Sequence, residues 1–269
     1  VILCAGSINT PQLLTLSGIG PGSELQRLGI PVAVDLPGVG QNLADHAGVN
    51  IACELNRPAP AWRLTPCEAV ALLQVDADAP APDVLYHFVL LLRDKYPEAN
   101  HFGNVEHGIK ISPNVTRPKS RGRLRFTGPD IHSLPQIDLN YFSDPEGYDA
   151  RIIIEALRFG RRLLQTTALS PWIRRGLLPG DDVETDDEYL AYALETCETV
   201  YHPTSTCRMG RAQDPGTVVT PDLRVKGING LRIADASVFP SMVTVNICNT
   251  VMMLAERAAE LIDTRNPSR

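Results

Sequence analysis

Two residues near the end of the chain, His202 and Asn246, have side chains suited to handling the proton of a hydroxyl group. Histidine titrates near neutral pH and is the most common general base in enzymes. His202 stands between Tyr201 and Pro203, and the proline disfavours helix at His202, so we predict an irregular segment there. A lone histidine is more often structural, so its position alone leaves both roles open.

Asp235 and Ala236 lie where ligands of α/β proteins bind. They follow a predicted strand at 231–234, and ligands of open α/β sheets sit at the carboxyl ends of strands. The Asp235 carboxylate can accept a hydrogen bond from a ligand hydroxyl, and the neighbouring backbone amides can hold a phosphate. An aspartate that only closes a turn is an equally good interpretation of this position.

The start of the last predicted helix, at about 247–262, is a third candidate site. Asn246, Ile247 and Asn249 surround a helix N-terminus, whose unpaired amides and partial positive charge stabilise an anion. The helix is apolar on most faces, so we expect it to be buried. The simpler interpretation is that an asparagine caps these amides, and this would account for one of the two residues Asn246 and Asn249.

The elements that must position these residues begin with a buried strand predicted at 1–4 and a helix that Thr10 caps and Pro11 opens. In the centre, strand-like segments are separated by turns rich in proline, glycine and asparagine. These segments lie at 50–54, 84–92, 108–112, 122–126 and 136–140. A run of strands without intervening helices is typical of an antiparallel sheet.

Helices return after these strands. Asp144 begins a helix with an apolar stripe, and Thr185 with Glu188 forms a capping box ahead of another helix. This order predicts a mixed α+β and α/β fold, in which both ends of the chain build one α/β domain around an antiparallel sheet flanked by helices. Because the chain starts at Val1, inside a predicted strand and without methionine, we expect a fragment of a longer protein.

The composition excludes several classes of protein. A net charge of −6 argues against nucleic acid or an anionic membrane as the main partner. No apolar run is long enough to span a bilayer and no signal peptide is visible, so we expect a cytoplasmic location. Six cysteines without a CxxC pair predict reduced, buried thiols. The spacing of Cys197, His202 and Cys207 matches no structural zinc site, so we expect no metal.

Four motifs follow one another along nearly the whole chain. They are GSINTPQLLTLSGIG at 6–20, GQNLADH at 40–46, the segment from YHP to CRMG at 201–210, and a closing strand and helix at 230–262. Together they resemble the glucose–methanol–choline (GMC) family of FAD-dependent alcohol oxidoreductases. The segments SPNVTRPKSRG at 112–122 and YFSDPEG at 141–147 are similar to the choline oxidase and choline dehydrogenase branch of that family.

The resemblance implies roles for individual residues. His202 would be the catalytic histidine, and Asn246 stands where the family has a second histidine or an asparagine. The residues implied at the substrate pocket are His87, Val200 and Tyr201. Those implied at the cofactor are Asp235, Ala236, Asn246, Ile247 and Asn249.

The resemblance also implies a domain arrangement and a cofactor. Residues 1–47 and 200–269 would form part of an FAD-binding, Rossmann-like domain, and residues 48–199 would form the substrate-binding domain. The βαβ unit for the ADP half of FAD would lie before Val1. The implied partner is a small alcohol, and both a monomer and a homodimer stay open.

The implied reaction is the oxidation of a primary alcohol to an aldehyde with hydride transfer to the flavin. His202 and Asn246 would position the hydroxyl and stabilise the alkoxide by hydrogen bonding. Gly48 departs from the choline-oxidising branch, where a glutamate at this position contacts the trimethylammonium group, so choline is disfavoured as the substrate. Two alternatives stay open: a non-catalytic remnant or binding domain without its own FAD-binding βαβ unit, and a lyase that uses flavin only structurally.

Overall fold

The computed structural model describes residues 1–61, 65, 67–90, 92, 102 and 105–263. It has a mixed fold of short strands and helices, with one large sheet of antiparallel strands, so the predicted fold class is confirmed. The first elements, in chain order, are β1 (Ile2–Leu3), α1 (Gly6–Leu16), β2 (Ile19–Gly20), α2 (Gly22–Arg27), β3 (Val34–Asp35), β4 (Ala47–Gly48), β5 (Ile51–Leu55), β6 (Cys67–Leu73), β7 (Val84–Val89) and β8 (Gly108–Val115). They are followed by β9 (Arg123–Arg125), β10 (Gln136–Asp138), α3 (Tyr148–Leu164), β11 (Ile173–Leu178), α4 (Asp186–Thr196), β12 (Glu198–Thr199), β13 (Arg232–Ile233) and α5 (Cys248–Ile262).

The chain packs into two compact units. Unit 1 consists of Val1–Asp45, Arg117–Tyr141 and Tyr201–Arg269, and unit 2 consists of His46–Thr116 and Phe142–Val200. Residues 117–141 lie inside the segment that the sequence assigned to a substrate-binding domain, yet they pack within unit 1. The physical reason is a small core in which Leu124 and Phe126, from β9 and its flank, pack with Leu28 and Leu43.

Unit 1 is organised around strands that are close in space but far apart in sequence. Parallel pairing joins β1 to β13, with Ile2 opposite Arg232 and Leu3 opposite Ile233, and also joins β2 to β3. The strands β9 and β10 form an antiparallel hairpin. The main core of the unit brings together Leu14 of α1, Ile233 of β13 and Leu254 of α5, so both ends of the chain share one core.

Helix α1 begins five residues before the predicted start at Pro11 and contains that proline in its interior. Thr10 therefore lies inside the helix and not at its start; its hydroxyl donates to the Asp235 carboxylate at 2.6 Å and accepts from the Ala5 N–H at 3.0 Å. Proline has no N–H to give to the carbonyl four residues earlier, which is that of Ser7. The Thr206 hydroxyl donates to this carbonyl at 2.6 Å instead.

Two predictions of burial in unit 1 are wrong. The side chain of Ile2 in β1 is 47% exposed, although the first strand was expected to be buried. Helix α5 was expected to be buried on most faces, but Met252 and Met253 are 55% and 60% exposed. Only Leu254 and Ala258 of α5 are buried, because within the described chain this helix packs with a single side on the core.

Unit 2 is built on a seven-stranded antiparallel sheet. The strands follow the order β11-β5-β8-β4-β12, and β7 pairs with β8 on one side and β6 on the other. One face of this sheet packs against α3, where Ile111 and Tyr86 meet Ile152. The approach is close at Gly160, since a Cβ there would come within 2.2 Å of the Ile51 side chain.

The sequence located the main elements of unit 2 and missed four of its strands. The capping box is confirmed, because the Thr185 hydroxyl accepts from the Glu188 N–H and the Glu188 carboxylate accepts from the Thr185 N–H. The start predicted at Asp144 is four residues too early, because α3 begins at Tyr148; the Asp144 carboxylate lies in the preceding turn and accepts from the N–H groups of Tyr148 and Asp149. The strands β4, β6, β11 and β12 were not predicted. Among the described residues no helix is long and apolar enough to cross a membrane.

Candidate active site

His202 is placed by a buried carboxylate of unit 1. The backbone N–H of His202 donates to Asp45 Oδ1 at 2.9 Å, and the Tyr141 hydroxyl donates to Asp45 Oδ2 at 2.5 Å. The Asp45 side chain is buried, whereas His202 is half-buried. Tyr201, just before it, has a φ of 64°, in the left-handed region that non-glycine residues seldom adopt. The predicted irregular segment is therefore present, and a carboxylate fixes its backbone.

The residues after His202 are anchored more deeply. The backbones of Ala44 and Thr204 exchange two hydrogen bonds, of 3.1 and 2.8 Å. Thr204, Ser205 and Thr206 have no exposed surface. His202 is half-buried, and residues 204–206, which follow it, are completely buried. His202 therefore has a well-defined position, which a catalytic group requires.

Asp235 uses its carboxylate to hold unit 1 together. Oδ2 accepts from the Gly6 N–H at 3.0 Å and from the Thr10 hydroxyl at 2.6 Å, and Oδ1 accepts from the Ser237 N–H at 2.8 Å. The side chain thus links the first turn of α1 to the short 3-10 turn Ala236–Val238. These contacts favour the interpretation of Asp235 as a structural turn residue, and leave ligand binding to nearby backbone groups such as those of Ala236.

The N-terminus of α5 is open. Ile247 occupies the capping position, and no side chain among the described residues makes a capping hydrogen bond there. Asn246 and Asn249 are exposed, so the simpler interpretation, in which one of them caps the helix, does not hold. The first amides of a 15-residue helix are therefore available to a negatively charged group.

The pocket residues predicted from the sequence divide between the two units. Val200 and His87 belong to unit 2, and Tyr201, which is 70% exposed, belongs to unit 1. In unit 2, Val200 lies against Gly48, where a Cβ would come within 2.9 Å of the Val200 side chain and 3.4 Å of the Ser112 hydroxyl. The position of Gly48 is therefore filled by a valine and a serine, which are neutral.

His46 has a structural role. It has no exposed surface, and its Nε2 lies 2.8 Å from the Thr116 carbonyl oxygen. A carbonyl oxygen only accepts, so Nε2 bears the proton in this contact. His87, by contrast, is only half-buried.

Three polar residues that contact predicted site residues, directly or through Asp45, were not singled out as functional by the sequence. Asp45 and Tyr141 position His202, and Asn114 lies beside His87 with its Nδ2 3.5 Å from Nδ1. The sequence context of Asp45 could have indicated a functional role, because it precedes a histidine in the GQNLADH loop. Asn114 and Tyr141 lie in the family-like segments at 112–122 and 141–147, but their partners are 27 and 96 residues away and were not visible in the sequence.

The cysteines are thiols in the structure. Cys53 and Cys207 are buried, Cys67 and Cys197 are half-buried, and Cys4 and Cys248 are exposed, so the prediction of buried thiols is only partly correct. Burial raises the pKa of Cys53 to about 11 and also raises that of Cys207, which keeps both protonated. Within the described part of the chain, no group of three or more histidine, cysteine or acidic side chains could hold a metal ion.

Comparison with known families assigns the chain to a class of oxidoreductases. Two models described as GMC oxidoreductase match it, one at residues 1–48 and the other at 118–255. The chain belongs to the GMC oxidoreductase family, whose members are FAD-binding flavoproteins. The family resemblance of the four motifs is thereby confirmed.

Among curated relatives, choline oxidase from Arthrobacter globiformis is 41% identical over 262 residues, which cover 97% of this chain and 48% of the relative. Alcohol dehydrogenase [acceptor] from Pseudomonas putida is 34% identical over 287 residues, covering 97% of this chain and 50% of the relative. The chain thus spans about half the length of these curated relatives.

Solved structures show the same fold. Pyridoxine 4-oxidase from Mesorbium loti aligns with a TM-score of 0.86 and 29% identity, over 97% of this chain and 50% of the other. An R554K variant of formate oxidase from Aspergillus oryzae, studied for FAD modification, aligns with a TM-score of 0.84 and 28% identity, over 98% of this chain and 54% of the other.

Proposed function

We propose that the protein containing this chain oxidises a primary alcohol to an aldehyde in an FAD-dependent reaction. The observation that supports this proposal best is the placement of His202, a half-buried histidine whose backbone is tied to the buried carboxylate of Asp45. The proposed catalytic residues are His202 and Asn246. The proposed pocket residues are His87, Val200 and Tyr201.

The open N-terminus of α5 supports binding of the flavin by unit 1. Its first amides, next to Ile247 and Asn249, offer a partial positive charge without a capping side chain. Asn246 and the backbone at Ala236 are the other proposed contacts, with Asp235 holding the turn that contains Ala236. Unit 2 would then provide the substrate-binding side of the enzyme. When bound, FAD supplies the acceptor for the hydride.

The chain's own residues handle the hydroxyl group of the alcohol. A ring nitrogen of His202 accepts the hydroxyl proton, and the carbon–oxygen double bond forms as the hydride leaves the same carbon. The Asn246 amide donates a hydrogen bond to the oxygen, on which negative charge develops. Asp45 acts indirectly by fixing the backbone of His202, and Gly48 beside Val200 gives the pocket a neutral wall.

The role of His202 is tested with the flavin-loaded protein. We expect His202→Ala to retain the bound flavin and to slow its anaerobic reduction by alcohol by about 100-fold or more, because a group that stabilises developing charge is lost. Asn246→Ala should slow the reduction less. The measurement is stopped-flow absorbance of the flavin with a series of primary alcohols.

His132→Ala is the matched control, because His132 is exposed. It should reduce its flavin at the rate of the unaltered protein. Near-normal reduction in His202→Ala would contradict the proposed role of His202. Bound flavin that no alcohol reduces, even in the unaltered protein, would instead support a binding domain or a structural use of flavin.

A further inference from the structure

The large sheet of unit 2 has a polar face opposite to the face that packs on α3. On β7, Tyr86 points towards α3, so its neighbours Leu85 and His87 lie on the other face. The strand register sets Leu85 directly opposite Asn114 and His87 directly opposite Ser112. Asn114 and His87 are therefore diagonal neighbours on one face, a distance that a long side chain can bridge.

The orientation of the Asn114 amide is determined by its surroundings. The side chain has no exposed surface, so it cannot turn towards solvent. Nδ2 donates to the Leu85 carbonyl oxygen at 3.2 Å, and a carbonyl oxygen can only accept. The nitrogen end of the amide must therefore point towards β7, where it also lies 3.5 Å from His87 Nδ1.

The oxygen end of the same amide supports this orientation. Oδ1 of Asn114 is buried and has no hydrogen-bond partner among the described residues. A buried acceptor without a partner costs stability, and such groups often mark functional sites. The Asn114 oxygen is thus unpaired among these residues, whereas its nitrogen faces two acceptors, the Leu85 carbonyl oxygen and His87 Nδ1. The side chain therefore forms its hydrogen bonds through its N–H groups.

We infer that Asn114 is a positioning residue that fixes the tautomer of His87. An Nδ2–H directed at Nδ1 requires a lone pair there, so in neutral His87 the proton is on Nε2. His87 then presents an N–H donor at Nε2. Such a donor binds an oxygen acceptor, and it cannot serve as a general base while the imidazole stays in this form.

The consequence for catalysis rests on the proposed function. If the protein oxidises alcohols, an oxygen acceptor on the substrate is the kind of group that fits the Nε2–H of His87. The contact of Asn114 with His87 lies within unit 2, so the tautomer can be tested without flavin or substrate.

The test is a long-range ¹H–¹⁵N correlation spectrum of the whole ¹⁵N-labelled chain at about pH 8, where a histidine with an ordinary pKa is neutral. The His87 signals are identified by their loss in His87→Gln. We expect His87 to show an unprotonated Nδ1 and a protonated Nε2. A protonated Nδ1 in the unaltered chain would overturn the inference.

Asn114→Asp separates a positioning role from a merely structural one. A carboxylate accepts where the amide donated, so we expect the proton of His87 to move from Nε2 to Nδ1. Asn56→Asp is the matched control, because the Asn56 amide also donates to a backbone carbonyl, that of Pro171, on the exposed surface of unit 2. This control should keep the Nε2–H form.

Circular dichroism verifies that each variant is folded. A folded Asn114→Asp chain that keeps its proton on Nε2 would overturn the inference. If Asn114→Asp does not fold, the spectrum of the unaltered chain still decides. If His87 shows the expected tautomer but the protein oxidises no alcohol, the positioning role of Asn114 is supported. Only the proposed function is then contradicted.

Discussion

At the scale of single residues, the contact of Thr206 with Ser7 explains how a proline is accommodated inside α1. Pro11 cannot donate to the Ser7 carbonyl, and the completely buried Thr206 hydroxyl does so at 2.6 Å. Thr206 lies four residues after His202, on the same anchored segment. The contact therefore stabilises α1 and the region of the candidate catalytic histidine together.

Replacing this hydroxyl should destabilise unit 1. We expect Thr206→Val to lower the free energy of unfolding by about 1 to 3 kcal/mol, because the Ser7 carbonyl would be left buried without a donor. Urea denaturation followed by circular dichroism measures the change.

Thr15→Val is the matched control for that substitution. The Thr15 hydroxyl is equally buried and donates to the Pro11 carbonyl, which also has the backbone N–H of Thr15 as its helical donor. Its loss should cost less than that of Thr206. Equal destabilisation by the two substitutions would show that the contact with Ser7 has no special importance.

The candidate site was only partly predictable from single residues. His202 has a recognisable sequence context, and the structure places it on the expected irregular segment. The role of Asp235 as a link between distant segments was not visible, because its partners Gly6 and Thr10 are 229 and 225 residues away. Local sequence patterns contain no information on pairs so far apart.

At the scale of elements, the pairing of β5 with β11 includes an ion-pair cluster around Glu54. The carboxylate contacts Arg174 at 2.9 Å and Arg175 at 2.6 Å, and its side chain is only 12% exposed. The hydrogen bond from Arg175, with the charge of Arg174, lowers the pKa of Glu54 below its ordinary value. The ionised form of Glu54 thus holds the β11 edge strand to the sheet.

A pH dependence follows from this lowered pKa. Because the pKa is lower in the folded than in the unfolded state, the stabilisation is present above the unfolded value of about 4.3 and is lost as the pH falls through the folded pKa. We expect Glu54→Gln to lose less stability on acidification than the unaltered chain. The measurement is the urea midpoint at near-neutral and at acidic pH.

Glu195→Gln, at an exposed position of α4, is the control for the loss of one carboxylate. It should retain the acid sensitivity of the unaltered chain. The same acid sensitivity in Glu54→Gln would contradict a role of the cluster in holding β11.

Elements that are specified by nearby residues were predicted from the sequence. Strands whose conformation depends on pairing with another strand were not. The capping box at Thr185 and the Asp144 carboxylate in the turn before α3 are local, and both are present. The strand β6, CEAVALL, consists largely of residues that also favour helices, and its pairing with β7 determines its conformation. The strand β11 has no clear alternation of buried and exposed residues.

At the scale of the whole molecule, the exposed side of α5 is unusual for a helix so rich in apolar residues. Met252 and Met253 of this helix are more than half exposed, and Val245, three residues before the helix, is 41% exposed. Apolar residues gathered on a surface mark sites that bind other apolar groups. The sequence predicted a buried helix because its composition alone does not say how much of the surrounding chain packs on it.

This exposure predicts binding of the hydrophobic dye ANS. We expect the double substitution Met252→Lys with Met253→Lys to reduce ANS fluorescence of the folded chain, with a change in stability of about 0.5 kcal/mol or less, because both side chains are on the surface. Ala255→Lys, on the same helix and also exposed, adds charge without removing a methionine and is the control. Unchanged fluorescence in the double variant would place the dye elsewhere.

The pairing of β1 with β13 has a consequence for the order in which parts of the molecule fold during synthesis. Leu3 and Ile233 pair across 230 positions of the chain, and the core of unit 1 draws on residues up to Ile262. Unit 2 ends at Val200. During translation, unit 2 can therefore complete its core while the first 45 residues still wait for their partners. The segment containing His202 follows unit 2 in the sequence, so its surroundings in unit 1 form after unit 2 has been synthesised.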